Sequence, residues 1–264
     1  MTHSHFNTIL KNSSLRGLTI VIIGLLSTEA WSQSTPTDQD VLVAVSALGV
    51  AVGVELFVKD HMLPNEPRFS TPNAFDASMR KKLYWGKEDQ EQARIWSDRL
   101  IYGVSLSSLV WGPLLSSDAN LSGLINMKVF TANSLVTNII KISAARERPY
   151  HHFGTRAPQG PVDFASFFSG HSSVAFSQAV SNAMILSKDY PEYSGLIWST
   201  LLTTAGTTAY FRVAGDMHYF SDILVGAGVG AFIAWSITRY ELDHYNQESE
   251  TGANFALTFK IPLG

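Results

Sequence analysis

Apolar positions along this chain recur at helical spacing, in runs separated by clusters of Pro, Gly, Asn, Asp and Ser. A first helix is predicted from about Asp38 to Val58, opened by Thr37 and Asp40 as a capping box and apolar from Val41 to Val54. Pro64, Pro67 and Pro72 mark a loop. Asn73 to Tyr84 follows as a short amphipathic helix, with Arg80, Lys81 and Lys82 in its last turns, and reads as a solvated helix. Glu88 to Leu115 reads as one long helix, polar at first and apolar from Leu100, ended or kinked at Trp111-Gly112-Pro113. Further helices are expected over Leu121–Ala145, from His171 to about Ser187, over Leu196–Phe211, and from His218 onward. Gly226, Gly228 and Gly230 lie in the apolar middle of the last one, a spacing that permits close helix–helix contact. The expected fold is all-α, a helical bundle with a core of about six helices over residues 38–245. A tail, 246–264, remains. There Phe255, Leu257, Phe259 and Ile261 alternate with Ala256, Thr258 and Lys260, which predicts a short C-terminal strand.

Ahead of the bundle, Lys11 and Arg16 precede a short apolar run, Leu18 to Leu26, and small residues follow. That order predicts a signal peptide over residues 1–30, leaving 31–264 as one domain in the periplasm or cell envelope. Hydrophobic residues make up 45 % of the chain and charged ones only 16 %. The apolar runs of the bundle fall short of the roughly 20 residues a bilayer span wants, and the mean hydropathy is only +0.08. A helical bundle with an apolar flank, soluble or associated with a membrane surface, is the expectation, with embedding in the inner membrane the alternative. Cys is absent, so disulfides and thiolate metal sites are excluded. A net charge of −3 argues against nucleic acid as a partner. Against this acidic background Lys141, Arg146, Arg148 and Arg156 cluster, which fits a small anionic substrate.

The candidate chemistry lies in three short islands. In Lys141–Pro149, a helix would carry Lys141 and Arg148 on one face, about 10 Å apart along its axis, with Pro149 ending it. Arg146 falls on another face and reads as a solvated charge. In the second island, Ser169-Gly170-His171 opens a helix. A glycine there lets backbone N–H groups approach an anion, Ser169 offers a hydroxyl or caps the helix, and His171 can give or take a proton. In the third, Arg212 and His218 flank a turn containing Gly215, and Asp222 stands four residues after His218. A shared helical face would let the carboxylate touch one ring nitrogen and leave the other nucleophilic. His151 and His152, in the loop between the first two islands, read as solvated.

Taken together the islands read Lys, six residues, Arg-Pro; Ser-Gly-His; and Arg, five residues, His, three residues, Asp. On these residues the chain resembles the type 2 phosphatidic acid phosphatase superfamily, which includes bacterial acid phosphatases and vanadium haloperoxidases. It departs in having Phe168 before Ser-Gly-His, where the family usually has Pro, and Phe211 before Arg212, where it usually has Ser. The resemblance implies a phosphatase for phosphomonoesters or lipid (pyro)phosphates. By it, His218 is the nucleophile and forms a phosphohistidine, Asp222 orients it, and His171 is the acid and base. Lys141, Arg148, Ser169, Gly170 and Arg212 would bind the phosphate. It implies no metal and no cofactor, with vanadate able to bind as a phosphate mimic. A vanadium-dependent haloperoxidase and a non-catalytic envelope protein with a decayed pocket are the alternatives.

Overall fold

A computed structural model of the protein describes residues 38–258. The predicted signal segment, the Thr37 cap and residues 259–264 lie outside the described residues. Seven principal helices follow in order: α1, Asp38–Gly53; α2, Ala74–Leu83; α3, Gln90–Leu106; α4, Ala119–Ala144; α5, Gly170–Asp189; α6, Ser194–Ala214; and α7, Phe220–Thr258. The fold is all-α, as the periodicity predicts. Wider turns extend α1 through Val54–Val58 and α3 through Ser107–Trp111, and the chain runs on helically to Leu115. A wider turn absorbs the N–H that Pro113 lacks, so Gly112-Pro113 shifts the helical register without ending the run.

Helix α5 is the centre. It packs against α3, α4, α6 and α7, while α1 leans on α4. Its buried positions are mostly small: Ser172, Ser173, Ala175, Ser177, Ala179, Ser181 and Ala183. Small residues all round let four neighbours approach one axis. Leu121, Ile125 and Val129 of α4 meet Val180 and Ile185 of α5 and Ala234 of α7. Ile101 of α3 meets Ala175, Ala179 and Ala205. Some of the polar groups carried inward are paired across helices, which offsets the cost of burying them. Asn126 Nδ2 donates to Asn182 Oδ1 (3.1 Å), and Ser181 Oγ donates to Asn126 Oδ1 (2.7 Å). Lys128 and Glu241 form a 2.8 Å ion pair between α4 and α7.

The expected glycine contact is real and specific. A Cβ on Gly226 would lie 2.6 Å from the Ser169 carbonyl oxygen, and one on Gly230 would lie 2.1 Å from that of Ser173. Gly228 faces open space. Two of the three glycines therefore bring the backbone of α7 against the start of α5, where Ser-Gly-His sits.

Two expectations are corrected here. Residues 254–258 continue α7 as helix; a lone strand with no partner would leave its backbone unpaired, whereas helix satisfies it locally. Helix α2 is no solvated helix. Asp76 is fully buried, accepting from the Ser221 backbone N–H (2.8 Å) and hydroxyl (2.7 Å). One turn on, Arg80 forks onto Asp216, each bond 2.6 Å. So α2 clamps both sides of the turn that carries His218.

Outside the core, large apolar side chains stand exposed on α1 (Leu42, Val45), the end of α3 and its extension (Leu106, Trp111, Leu114), α6 (Leu196) and α7 (Leu224, Phe232). The stretch Phe220–Tyr245 is long and apolar enough to cross a membrane, and only 28 % of its most apolar window is buried within the protein.

Candidate active site

Several elements converge on a cavity of about 410 Å³. Its floor holds Lys141 from the last turn of α4, Arg148 from the segment after it, Gly170 and His171 from the start of α5, Arg212 from the last turn of α6, and His218 from the turn before α7. Its walls are largely apolar: Ala51 and Val52 of α1, Ile101 and Tyr102 of α3, Phe130 of α4 and Val174 of α5. Glu55 also lines it. Six residues of the three islands, spread over more than seventy positions of sequence, thus share one site.

Lys141 and Arg148 do not share a helix. Helix α4 ends at Ala144 with Ala145 in the left-handed conformation (φ 45°), and the chain then runs extended. Arg146 bridges to Phe69 there, and the Glu147 N–H donates to the Phe69 carbonyl (2.9 Å). Pro149 starts a new short helix, Pro149–His152, because its missing N–H costs nothing at a first helical position. Arg148 precedes that turn. Its Nε and Nη1 donate to the carbonyls of Val162 (2.9 Å) and Met217 (3.2 Å), which fixes the guanidinium at the cavity.

Ser169 caps α5, accepting from the Ser172 N–H (3.3 Å) and the Ser172 hydroxyl (3.0 Å). Both contacts use its oxygen as acceptor, so its own proton remains to be donated. A Cβ on Gly170 would come within 3.3 Å of Lys141 Nζ. Glycine is therefore what lets the ammonium lie against the first turn of α5.

His218 is buried, and its environment differs from the expected pair. Nδ1 lies 2.7 Å from the Ser166 carbonyl oxygen and 3.8 Å from Asp222 Oδ2. His218 lies ahead of the first turn of α7, so the i, i+4 rule for helical faces does not govern it. The carbonyl takes the Nδ1 proton and leaves the Nε2 lone pair open. Asp222 is held behind by the Ser166 hydroxyl (2.6 Å), the Tyr219 N–H (2.9 Å) and Arg146. Arg146 is thus no solvated charge: it joins Asp222 to Asp76, both carboxylates buried. His151 and His152 are not free either; both pair with Glu147, at 2.6 and 3.1 Å.

Sequence reasoning missed Asp98 of α3. Its Oδ1 accepts from His171 Nε2 (2.9 Å) and Arg212 Nη1 (3.1 Å), and its Oδ2 from Arg94 (2.6 Å). No fixed spacing marks it; it is one acidic residue on the polar half of a long helix. The Ser166 carbonyl, a backbone atom, left no residue signal at all.

The electrostatics are those of a cation cluster. Burial, and then the nearby Arg148, hold the Arg212 pKa down to about 9. Burial lowers Arg148 as well. Burial, then Arg148, Arg212 and Lys141, hold His218 well below the usual histidine range, so its imidazole is neutral. Burial and Arg212 push His171 down to about 3, although 29 % of its side chain stays open to the cleft. Arg212 Nε is buried without a hydrogen-bond partner. Cations that repel one another, together with an unsatisfied guanidinium N–H, make a site that an oxyanion would complete.

Residues 124–245 match the family model of the PAP2 superfamily. The resemblance read from the three islands is thereby borne out. Among solved structures, the chain is similar to the crystal structure of the first transmembrane PAP2 type phosphatidylglycerolphosphate phosphatase from Bacillus subtilis. That likeness has a TM-score of 0.40 at 16 % identity and covers 86 % of this chain and 95 % of that one. No curated protein matches the sequence.

Proposed function

We propose that the protein is a phosphatase of the cell envelope that hydrolyses phosphomonoesters, lipid phosphates foremost, through a phosphohistidine. The observation that carries this reading is the cavity itself, whose cationic floor presents a neutral histidine and whose walls are largely apolar. In the first step His218 Nε2 attacks phosphorus, and the bond to the leaving oxygen breaks as His171 protonates that oxygen. Lys141, Arg148, Arg212, the Ser169 hydroxyl and the Gly170 N–H hold the equatorial oxygens. The phosphorylated ring is a cation. Its Nδ1–H stays on the Ser166 carbonyl, and the Asp222 carboxylate behind it offsets the charge. In the second step a water gives its proton to His171 and attacks phosphorus, the P–N bond breaks, and phosphate leaves.

Apolar walls beside a phosphate floor fit an acyl or isoprenyl group better than a sugar. The exposed apolar side chains and the Phe220–Tyr245 stretch support membrane association. With the export signal read from residues 1–30, the reading is an envelope enzyme that meets its substrate at a lipid surface. Phosphate release from p-nitrophenyl phosphate and from a panel of lipid phosphates, with and without detergent, tests it. Release is expected from the wild type and not from His218→Ala. Equal release from the folded variant would overturn the reading.

A further inference from the structure

Each histidine of the site has a carboxylate near it, and only one of the two carboxylates belongs to the family's spacing pattern. Asp98 comes from α3, which contributes none of the three islands. It is joined to His171 Nε2 at 2.9 Å, a better hydrogen bond than any His218 makes with Asp222. The same Oδ1 takes Arg212 Nη1, and Arg94 anchors Oδ2 from one turn back on α3. Arg94 is in turn held by Glu91 at 3.0 Å. The carboxylate is thus fixed by three donors from three helices.

We infer that Asp98 is a positioning residue for leaving-group protonation: it fixes the His171 ring by its Nε2–H and makes the His171 imidazolium available to the departing oxygen. This rests on the phosphatase reading above. A carboxylate on Nε2 sets the tautomer with its proton there, leaving Nδ1 for the leaving oxygen. In the first step the Nδ1 proton passes to that oxygen as its bond to phosphorus breaks and the P–N bond to His218 forms. Asp98 stays ionised throughout. In the second step neutral Nδ1 accepts the proton of the attacking water.

The charge balance around His171 shows why such a partner is needed. Arg212 on α6, Lys141 on α4 and His218 on the turn before α7 face it, Arg148 lies beyond them, and Arg94 stands behind Asp98. Every one of these groups disfavours a proton on His171 or is neutral. Glu55 of the α1 extension also lines the cavity, but Asp98 is the carboxylate bonded to His171, and it and the incoming phosphate favour the proton there. Asp98 is itself held below the usual carboxylate range: burial pushes it up, but the hydrogen bond to His171 and the charges of Arg212 and Arg94 outweigh that.

A leaving alkoxide needs the proton; p-nitrophenolate does not. Asp98→Asn keeps the size of the side chain and removes its charge. Single-turnover kinetics of the full-length protein with an alkyl phosphate are expected to fall about 10²-fold, within the range of a general-acid contribution. The fall with p-nitrophenyl phosphate should be much smaller. The pH limb that reports protonated His171 should move to lower pH, because the charge that raised its pKa has gone. Asp98→Glu should recover part of the alkyl-phosphate rate. Equal losses on both substrates with an unmoved limb would overturn the inference and leave Asp98 a structural ion-pair partner.

A measurement without turnover separates this failure from failure of the phosphatase reading. In ¹⁵N-histidine spectra of the unliganded protein, neutral His171 should be the Nε2–H tautomer, with a pKa that drops in Asp98→Asn. The opposite tautomer, or an unchanged pKa, sinks the inference even if the enzyme is a phosphatase. A wild type with the expected tautomer but no phosphate release from any ester sinks the phosphatase reading, and the general-acid role with it.

Discussion

The Nδ1 of His218 lies 2.7 Å from the Ser166 carbonyl oxygen, and the Ser166 hydroxyl lies 2.6 Å from Asp222 Oδ2. One serine therefore stands between His218 and Asp222, with its backbone facing the first and its side chain the second. The tautomer of His218 is set by an atom no side-chain substitution removes. Asp222→Asn should consequently leave the Nδ1–H tautomer in place, while slowing phosphoenzyme formation by loss of the charge behind the ring. Histidine ¹⁵N shifts check the first expectation and rapid-quench kinetics the second. A switched tautomer would show that Asp222, and not the carbonyl, controls the ring.

The phosphoenzyme should be a phosphoramidate. An adduct trapped from labelled substrate is expected to be acid-labile and base-stable, and absent from folded His218→Ala. An acid-stable adduct would move the nucleophile to a serine hydroxyl.

Phosphate and vanadate should stabilise the protein. At a hundredfold excess over Kd the gain is about 2.7 kcal/mol, read as a rise in Tm. The sign of its pH dependence follows from Arg212, whose pKa is pressed down to about 9 in the empty site. A bound anion raises that pKa. The favourable linkage is then fully present below about pH 9 and is lost as the pH rises through the higher bound-state value. Anion affinity should therefore fall above pH 9, and a pH-independent affinity there would contradict the cation cluster.

Chelation by EDTA should leave activity intact. The charges offered to phosphate are three cations and backbone N–H groups, which repel Mg²⁺ and Ca²⁺. Activity lost on chelation and restored by added metal would overturn the metal-free mechanism.

Removing Arg146 should be severe. Arg146→Met leaves the buried carboxylates of Asp76 and Asp222 without the guanidinium between them, at a cost of roughly 3–5 kcal/mol. Denaturant melts measure it. A change under 1 kcal/mol would mean that the pair is solvated, as the sequence alone implied.

Gly226→Ala and Gly230→Ala should each destabilise the protein by about 1–3 kcal/mol, because a backbone carbonyl stands where the methyl would go. Gly226→Ala should also cost activity, since the carbonyl it meets belongs to Ser169. Gly228→Ala, facing open space, is the control.

The helices were legible because their apolar positions and their breakers are local signals. The expected Glu88–Leu115 helix covers the observed α3 and its extension, and Leu121–Ala145 misses α4 by two residues at its start. The members of the site were legible for another reason: Lys141, Arg148, His171, Arg212 and His218 stand at spacings that chance seldom produces together. Their geometry was not legible. Nothing local says that Ala145 turns left-handed and takes Arg148 off the helix. Asp76, Arg80, Asp98 and Arg146 act through partners far along the chain, and an isolated charge on a polar helix face looks the same whether water or a buried carboxylate awaits it.

Where α7 crosses α5 at Gly226 and Gly230, backbone rests on backbone, with no side chain between them to vary. That joint carries the Ser-Gly-His turn. The opposite wall of the cleft, Val52 of α1 and Ile101 and Tyr102 of α3, is all side chain. Heritable change is thus channelled: α5 and α7 can drift little without losing the chemistry, while the cleft-facing Val52, Ile101 and Tyr102 can be rewritten so long as Asp98 and Arg94 of α3 stay. A chimaera that takes the cleft-facing positions of α1 and α3 from a relative, with Asp98 and Arg94 kept, should inherit the donor's choice of organic group on this protein's phosphate floor.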